Sequence, residues 1–316
     1  MRALIVGAGM AGLACAERLS HAGCQVTLLD KGRGAGGRMA TRRLATALGE
    51  ATFDHGAQYF TASDPRFEAQ VRDWRDAGNV APWLAAGDGA WVGFPAMNSP
   101  LKAMAEGLDV RWATRVVQVS RHIAGWEVST EEGGVFQCDL LVVALPAEQT
   151  GQLLEHVASE WSAQARTRPS SPCWTVMLVL SEPLGTAPDC LRGRDDDILG
   201  WAARNSSKPG RTGPESWVLQ AGPGWSAENV ETPQAQVEMD LLAAFSERLA
   251  ISPPEVIAGS THRWRYARPD VNGAGPLWDP GLGLGLCGDW LAAPTVEGAW
   301  LSGIELSDKI LIGRLG

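Results

Sequence analysis

Residues 2–30 read RALIVGAGMAGLACAERLSHAGCQVTLLD, and this stretch decides the fold class. Arg2–Val6 is a short apolar run typical of a buried strand, and Gln25–Leu29 is a second one. Between them, GAGMAG at residues 7–12 opens an Ala- and Leu-rich amphipathic segment that stops at Gly23. The pattern predicts a β-α-β unit within a parallel sheet, and hence an α/β protein.

The glycine pattern of residues 7–12 is typical of a site that holds the pyrophosphate of a dinucleotide. Gly7 permits the tight turn, Gly9 lets the backbone approach the phosphates, and Gly12 lets helix and strand pack closely. The helix that follows presents unpaired N–H groups and the positive end of its dipole. Asp30, at the end of the second strand, is placed to accept hydrogen bonds from the adenosine ribose.

The rest of the chain predicts further strands and helices. Residues 140–145 are continuously apolar and precede Pro146, which is typical of a central parallel strand buried on both faces. Further strands are predicted within 110–138, with turns at 124–125 and 132–134, and at 174–180, 198–203, 217–220, 256–265 and 282–287. Helices are predicted at 66–76, 101–106, 234–249 and 296–312.

Length and composition exclude several classes of protein. The chain has 316 residues and a net charge of −9, so a nucleic acid and an anionic membrane are unfavourable partners. No apolar run approaches the roughly 18 residues of a membrane span, and no signal-peptide pattern opens the chain, which predicts a cytoplasmic location. The six cysteines lack metal-ligand spacing, so no metal site is predicted.

A second glycine-rich stretch, KGRGAGGRMAT at residues 31–41, follows Asp30 directly. Its Gly36-Gly37 doublet resembles that of the large flavoprotein family of monoamine oxidases and protoporphyrinogen oxidases. The resemblance implies that the dinucleotide is FAD and not NAD. The glycines let the chain pass close to the cofactor, and Arg38 is placed to neutralise pyrophosphate charge.

The C-terminal segment is expected to complete the same site. CGDW at 287–290 follows a predicted strand, and TVEGAWLSG at 295–303 opens the last helix. In this flavoprotein family an equivalent Gly-Asp binds the ribityl-phosphate region, a role that the resemblance gives to Asp289. The helix N-terminus then points at the flavin N1/O2 edge, where its dipole stabilises the negative charge of the reduced ring. Cys287 lies outside the family's covalent-flavin motif, so non-covalent FAD is expected.

Four segments together resemble the bacterial renalases, and the resemblance runs along the whole chain. They are DHGAQYFT at 54–61, WAARNSSKP at 201–209, HRWRYARP at 262–269 and the C-terminal stretch 287–303. The resemblance implies a Rossmann-like FAD-binding domain of the p-hydroxybenzoate hydroxylase type, with an inserted α+β substrate domain carrying a mostly antiparallel sheet. We expect the FAD-binding domain at 1–60, 95–150 and 255–316, and the substrate domain at 61–94 and 151–254.

The resemblance also implies an activity. Bacterial renalases look like oxidases of aberrant dihydronicotinamide isomers, the 2- and 6-dihydro forms of NAD(P). In such a reaction a hydride goes to flavin N5, NAD(P)+ leaves, and dioxygen reoxidises the flavin to give hydrogen peroxide. Because the hydride is already poised to leave, catalysis is mainly positioning and needs no acid–base dyad. The expected partners are a dihydronicotinamide nucleotide and dioxygen.

The motifs and the resemblance together give the candidate site residues. Those expected beside the flavin ring or around the substrate pocket are Gln58, Tyr59, Asn205, His262, Trp264, Tyr266 and Trp290. Those expected to contact the cofactor are Gly7, Gly9, Met10, Ala11, Gly12, Asp30, Lys31, Gly36, Gly37, Arg38, Met39, Val117, Asp289, Val296, Glu297 and Gly298. Cationic candidates for the phosphates or carboxamide of the substrate are Arg204, Lys208, Arg263 and Arg268.

Some of these residues have a structural alternative. Both tyrosines and Trp264 suit core packing as well as a pocket wall, and His262 suits a core histidine. Arg263 and Arg265 alternate with Trp264 along a strand, so only one of the two sets can face the flavin. Asn205 is the strongest polar candidate, because an amide pairs well with a carboxamide.

One position departs from the renalase pattern, and other functions stay open. Pro294-Thr295 stands where bacterial renalases carry Gly-Arg, so a substrate contact made by that arginine would be lost here, although Thr295 still suits a helix cap. A flavin amine oxidase would share every cofactor motif. A reductase passing electrons from ordinary NAD(P)H to a quinone, and a flavin-binding sensor without enzymatic activity, are the further alternatives.

Overall fold

The structure is a computed structural model that describes residues 1–185, 187–271 and 273–313. The strands are β1 (Arg2–Val6), β2 (Gln25–Leu29), β3 (Thr41–Thr46), β4 (Gly49–Asp54), β5 (Val80–Pro82), β6 (Trp91–Gly93), β7 (Asp109–Arg111), β8 (Val116–His122), β9 (Gly125–Thr130), β10 (Val135–Cys138), β11 (Leu140–Val143), β12 (Ser170–Leu180), β13 (Cys190–Arg192), β14 (Leu199–Arg204), β15 (Ser216–Ala221), β16 (Val256–Pro269), β17 (Leu277–Asp279) and β18 (Leu284–Leu286). The helices are α1 (Met10–His21), α2 (Pro65–Asp76), α3 (Ser99–Ala105), α4 (Ala147–Leu154), α5 (Ser159–Arg166), α6 (Pro223–Glu228), α7 (Gln234–Leu249) and α8 (Val296–Ile312).

A six-stranded sheet in the order β17-β18-β11-β1-β2-β7 contains the first β-α-β unit. β1 lies between β2 and β11 and is parallel to both. α1 and α8 pack on one face of this sheet, and the β8-β9-β10 sheet with α4 and α5 packs on the other. β11 is buried along its whole length because both faces are covered, and this explains its unbroken apolar sequence.

The second large sheet is antiparallel, in the order β13-β14-β15-β12-β16. α7 covers one face, where the rings of Trp217 and Phe245 lie 4.9 Å apart between centroids. The β3–β4 hairpin covers the other face, where Ala51 and Phe53 pack against Met177. One face of the antiparallel sheet therefore packs against the hairpin that directly follows the second glycine-rich stretch.

The antiparallel sheet contacts two segments that were expected to belong to the FAD-binding domain. β16 was expected in the FAD-binding domain, yet it pairs with β12 along nearly its whole length. The β3–β4 hairpin also packs on this sheet although it lies within residues 1–60. Sequence patterns cannot show this, because the pairing of β16 is set by contacts with a strand about eighty residues earlier.

The individual elements follow the sequence predictions closely where the periodicity is strong. α7 and α8 begin and end at the predicted residues. α4, α5 and the β3–β4 hairpin were not predicted. Among the described residues, no helix is long and apolar enough to cross a membrane.

Candidate functional site

The turn between β1 and α1 forms a cradle that requires glycine at two positions. Gly7 has φ +104°, and a Cβ there would lie 2.6 Å from the carbonyl oxygen of Ala144. A Cβ at Gly12 would lie 2.0 Å from the carbonyl oxygen of Gly7. A Cβ at Gly9 meets no protein atom within 4 Å, so there is space for a ligand beside it. Together with the N-terminus of α1, where Met10 is the first residue, this geometry fits a pyrophosphate.

Asp30 shapes the loop that follows β2. Its carboxylate accepts hydrogen bonds from the backbone N–H of Ala8 at 2.7 Å and of Gly32 at 2.6 Å. Each carboxylate oxygen keeps a second lone pair for a ribose hydroxyl. Lys31 is exposed and donates to Gln149 Oε1 at 3.3 Å, so its side chain lies along the protein surface.

The glycine doublet makes the turn that follows this loop. Gly36 has φ +154°, and a Cβ there would lie 2.8 Å from Ala40 Cα. Gly37 has φ +50° and begins a short 3-10 turn that buries Met39. Both glycines are therefore required by the backbone, and the turn places Arg38 beside the C-terminal segment.

Arg38 and Asp289 join the N-terminal and C-terminal parts of the expected cofactor site. Arg38 Nη2 donates to Asp289 Oδ1 at 2.6 Å, and Nη1 donates to the carbonyl oxygen of Ala267 at 3.1 Å. Asp289 follows β18, and only 8% of its side chain is exposed. Arg38, expected next to the pyrophosphate, and Asp289, expected next to the ribityl chain, therefore lie in direct contact.

The first turn of α8 is fixed by two side chains. Thr295 Oγ1 accepts a hydrogen bond from the backbone N–H of Gly298 at 2.9 Å, as predicted for a helix cap. The carboxylate of Glu297 accepts from the backbone N–H groups of Ser63 and Asp64, both at 2.7 Å, and from the Ser63 hydroxyl at 2.8 Å. The Glu297 side chain is thus directed toward the start of α2, and Val296 and Glu297 contribute first-turn N–H groups of the kind that bind anions.

The expected cofactor residues share one edge of the molecule, with one exception. The glycine cradle, Asp30 and Asp289 all follow the carboxyl ends of strands in the parallel sheet, the edge at which such sheets bind dinucleotides. These residues fit a bound dinucleotide. Val117 lies in β8 and is 52% exposed, at a point where the register with β9 shifts, and its contact with the cofactor stays a prediction.

A row of residues crosses the antiparallel sheet on the face toward this edge. The row, called the transverse row below, consists of residues paired directly from strand to strand: His262, Thr175, Gln220, Trp201 and Arg192. Directly paired residues point to the same face of a sheet. The segment 55–59 runs along this row, and the carbonyl oxygen of Gly56 accepts from Gln220 Nε2 at 2.8 Å.

At the β16 end of the transverse row, three rings pack together. The centroid of the His55 ring lies 5.1 Å from that of His262 and 5.0 Å from that of Trp264. Trp264 Nε1 donates to the carbonyl oxygen of His55 at 2.8 Å. Burial lowers the pKa of both histidines to about 4, and the charge of Arg42 contributes to the same direction. Both imidazoles are therefore neutral near pH 7. Tyr266 is half-buried and follows on the same face of β16.

At the β13 end of the row, Arg192 lies against two rings. Its guanidinium is centred 5.4 Å from the ring centroid of Tyr59 and 4.7 Å from that of Trp201. Nη1 donates to the Tyr59 hydroxyl at 3.1 Å, and Nη2 donates to the carbonyl oxygen of Ala86 at 2.8 Å. Tyr59 is thus part of an aromatic and cationic wall.

A buried charge cluster lies behind the segment 55–59. Asp54 Oδ2 accepts from Lys208 Nζ at 3.2 Å and from Arg211 Nη2 at 2.6 Å, and no more than 1% of any of the three side chains is exposed. Burial opposes ionisation of Asp54, but the charges of Lys208 and Arg211 outweigh it and lower its pKa to about 2. Burial lowers the pKa of Lys208 to about 8. Two cations therefore share one carboxylate in a water-excluded place.

This cluster also fixes the amide of Gln58. Gln58 Oε1 accepts from Lys208 Nζ at 3.2 Å, while Nε2 donates to the carbonyl oxygens of Asp54 and Gly56. The amide is held in one orientation. Because its oxygen and its nitrogen are both hydrogen-bonded to the protein, only the flat face of the amide is left to contact a ligand.

Two of the expected pocket residues, Asn205 and Trp290, are buried and hydrogen-bonded within the protein, and their contact with a substrate stays a prediction. Asn205 is fully buried, its Oδ1 accepts from the backbone N–H of Asp54 at 3.2 Å, and its Nδ2 donates to the carbonyl oxygen of Thr52 at 2.7 Å. Both ends of its amide are occupied by β4. Trp290 is 1% exposed in the core and donates to the carbonyl oxygen of Leu145 at 3.1 Å. Its size and position serve packing under the parallel sheet.

Most of the cationic candidates are bound to carboxylates. Arg204 pairs with Asp189 and Glu215. Arg263 and Arg265 both pair with Glu231, on the face of β16 opposite to Trp264. Of the two sets that alternate along β16, the one with His262 and Trp264 therefore faces the segment 55–59. Arg268 is exposed at the end of the same strand.

Several residues around the site were not identified from the sequence. Asp54 is the first residue of the segment 54–61. Its place at the end of a buried strand could have indicated a cationic partner such as Arg211. His55 lies in the same segment. Arg192 and Arg42 lie outside all four renalase-like segments, and the sequence carries no signal for them.

Two family models match the chain in succession. One, described as an NAD(P)-binding Rossmann-like domain, matches residues 5–74, and the other, described as flavin containing amine oxidoreductase, matches residues 82–311. Renalase from Mus musculus is 26% identical over 294 residues, which cover 84% of this chain and 85% of that protein. Coproporphyrinogen III oxidase from Mycobacterium tuberculosis is 34% identical over 113 residues, which cover 34% of this chain and 24% of that protein. The resemblance to renalases is thereby confirmed.

Solved structures share the fold along nearly the whole chain. A putative protoporphyrinogen oxidase from Exiguobacterium sp. 255-15 superposes with a TM-score of 0.74 at 11% identity, with 99% of each chain covered. A redesigned putrescine oxidase also has a TM-score of 0.74, at 13% identity and 99% coverage of each chain. The fold class expected from the sequence is confirmed by these likenesses.

Proposed function

Because the chain belongs to the flavin containing amine oxidoreductase family, we propose that it oxidises the 2- and 6-dihydro isomers of NAD(P) with dioxygen. The cofactor is FAD. The residues that would hold it are the glycine cradle, Asp30, Arg38, Asp289 and the first turn of α8. When bound, FAD supplies the acceptor for the hydride and passes two electrons to dioxygen, which gives NAD(P)+ and hydrogen peroxide. The likeness to renalase supports this choice of substrate.

The observation that carries the proposal is a wall of rings without a free acid or base. Among the described residues, the site carboxylates of Asp54, Asp289 and Glu297 are each bound to cations or to backbone N–H groups. The two histidines are neutral near pH 7, and because their pKa values are lowered to about 4 their imidazoles are weak bases. The side chains left to face a substrate are the rings of Tyr59, Trp201, His262 and Trp264, together with the guanidinium of Arg192. Such a wall suits a donor whose hydride needs no proton removal.

The proposed roles of these side chains are to orient the substrate and to exclude water. Flat rings stack on a flat dihydronicotinamide, and orientation of this kind accounts for a large part of the rate when the donor is already activated. Gln58 holds the segment 55–59 in place, because its amide is bound at both ends. The transverse row then keeps that segment at a fixed distance from the antiparallel sheet.

An amine oxidase is the competing function, and one feature favours it. The rings of Tyr59 and Trp201 lie 5.6 Å apart between centroids, and paired rings of this kind bind ammonium groups. The guanidinium of Arg192 already lies over both rings, so a protonated amine would meet a like charge there. This charge favours the nucleotide over the amine.

The experiment that tests the function is steady-state oxygen consumption by the FAD-bound protein. With 6-dihydro-NAD, we expect one dioxygen consumed and one hydrogen peroxide and one NAD+ formed per substrate. Catalase should return half of the consumed oxygen. The proposal is wrong if a panel of primary amines is oxidised while neither dihydro isomer is.

A further inference from the structure

The guanidinium of Arg192 is held by neutral groups alone. Its hydrogen-bond acceptors are the hydroxyl of Tyr59 and the carbonyl oxygen of Ala86. Its other close neighbours are the rings of Tyr59 and Trp201. In the part of the chain that the structure describes, no carboxylate lies within ion-pair distance of this guanidinium, in contrast to Arg204 on the neighbouring strand.

Beyond ion-pair distance, charges of both signs surround Arg192, since Arg248, Asp197 and Glu247 line the same depression. Arg248 Nη2 donates to the backbone carbonyl of Arg192 at 3.0 Å, which brings a second guanidinium to the same strand. Behind Tyr59, the cations of Lys208 and Arg211 outnumber the carboxylate of Asp54. An anion beside the Arg192 guanidinium would thus meet a positive charge that no ion pair neutralises.

The position of Arg192 links this charge to the proposed substrate pocket. Arg192 is the last member of the transverse row and contacts Tyr59, one of the rings proposed to orient the nicotinamide. The side chain is exposed, so its guanidinium is accessible to a ligand. A planar guanidinium binds a phosphate through two parallel hydrogen bonds. Two of the five N–H groups of Arg192 donate to Tyr59 and Ala86, and the others are left for that purpose.

We propose that Arg192 binds a phosphate of the substrate and so selects phosphate-bearing nicotinamides over phosphate-free ones. The inference rests on the proposed function, because it assumes that a nicotinamide lies against the rings beside Arg192. It adds a specificity-determining residue that lies outside all the renalase-like segments. Tyr59 and Trp201 hold the guanidinium in place before the phosphate arrives, which reduces the entropy lost on binding.

The test is a binding titration that does not depend on turnover. The oxidised, FAD-bound protein is titrated with NAD+, nicotinamide mononucleotide and nicotinamide riboside, and the flavin absorbance spectrum reports binding. We expect the mononucleotide to bind the wild-type protein roughly 10-fold or more tightly than the riboside. Arg192→Met should abolish this preference, and Arg192→Lys should retain part of it.

Arg194→Met is the matched control, because it removes the same charge two residues away from an exposed position. It should leave the preference for the phosphate unchanged. If wild-type protein prefers the mononucleotide and both Arg192 variants keep that preference, Arg192 does not bind the phosphate and the proposed function stands. If the wild-type protein binds mononucleotide and riboside equally, the inference is also overturned. If no nicotinamide compound perturbs the flavin of the wild-type protein, the proposed function fails together with the inference.

Discussion

The guanidinium of Arg38 and the carboxylate of Asp289 meet at 2.6 Å although 251 positions separate them in the chain. Arg38 follows the glycine doublet, and Asp289 follows the last strand of the parallel sheet. A single ion pair thus connects the N-terminal and C-terminal segments that carry the expected cofactor residues. Because 33% of the Arg38 side chain is exposed against 8% for Asp289, the arginine is the partner that keeps access to an anionic ligand.

Gly9→Ala should separate cofactor binding from folding. Gly9 has φ −78°, which alanine adopts readily, and its added Cβ would meet no protein atom within 4 Å. We expect the apoprotein to fold with unchanged stability but to bind FAD at least about 10-fold more weakly, because the methyl group occupies the space of the pyrophosphate. Fluorescence titration of the apoprotein with FAD measures the affinity.

Gly12→Ala provides the contrast for that experiment. Its Cβ would lie 2.0 Å from the carbonyl oxygen of Gly7, so this variant should lose stability whether or not FAD is present. Equal FAD affinity in Gly9→Ala and wild-type protein would show that the pyrophosphate does not lie beside Gly9.

Asp54→Asn should be strongly destabilising. It leaves Lys208 and Arg211 buried without a carboxylate, and removal of one member of a buried ion pair costs about 3–5 kcal/mol. Urea denaturation followed by tryptophan fluorescence measures the free energy of unfolding. Asp308→Asn is the control, since it breaks an exposed pair with Arg18 and should cost less than about 1 kcal/mol. Similar losses in both variants would contradict the importance of the buried cluster.

Glu297→Gln should loosen the α8 end of the cofactor site. The carboxylate of Glu297 binds the backbone N–H groups of Ser63 and Asp64, and a neutral amide makes weaker bonds to them. We expect FAD to be released at a lower temperature, as detected by the rise of flavin fluorescence on heating. Glu305→Gln on the same helix is the control, because Glu305 contacts Arg66 at the surface and should leave the release temperature unchanged. The same release temperature in wild-type and Glu297→Gln proteins would rule out this role.

His55 should make the folded protein less stable in mild acid. In the unfolded chain His55 binds a proton near pH 6.5, whereas burial lowers its pKa in the folded protein to about 4. The free energy of unfolding should therefore fall as the pH drops from about 6.5 to about 4, by about 3 kcal/mol from this group.

Urea denaturation at several pH values measures that slope. His55→Asn should show a shallower fall than the wild-type protein, whatever its stability at pH 7. His156→Gln, which changes an exposed histidine, should keep the wild-type slope. An unchanged slope in His55→Asn would mean that the pKa of His55 is the same in the folded and the unfolded protein.

The sequence predicted the strand-turn-helix geometry of the first glycine turn and the start of α8 because these signals are local. The glycines of residues 7–12 and the helix cap at Thr295 each depend on backbone geometry within a few residues. Arg38 and Asp289 were both expected to contact the cofactor, but their contact with each other was not foreseen.

The residues around the proposed substrate site could not be predicted in the same way. Asn205 was assigned to the substrate because an amide suits a carboxamide, yet β4 takes both of its hydrogen-bonding groups. Arg192 reaches Tyr59 only because four strands pair in one register across the antiparallel sheet. Register between distant strands depends on tertiary contacts, which a motif search does not contain.

Single-turnover reduction of the bound flavin tests the proposed function most directly. The FAD-bound protein is mixed under anaerobic conditions with 6-dihydro-NAD, with ordinary NADH and with a simple primary amine, and the flavin absorbance is followed in a stopped-flow instrument. We expect rapid bleaching by 6-dihydro-NAD alone. Bleaching by the amine alone, or by NADH alone, would leave the FAD site intact and contradict the proposed substrate.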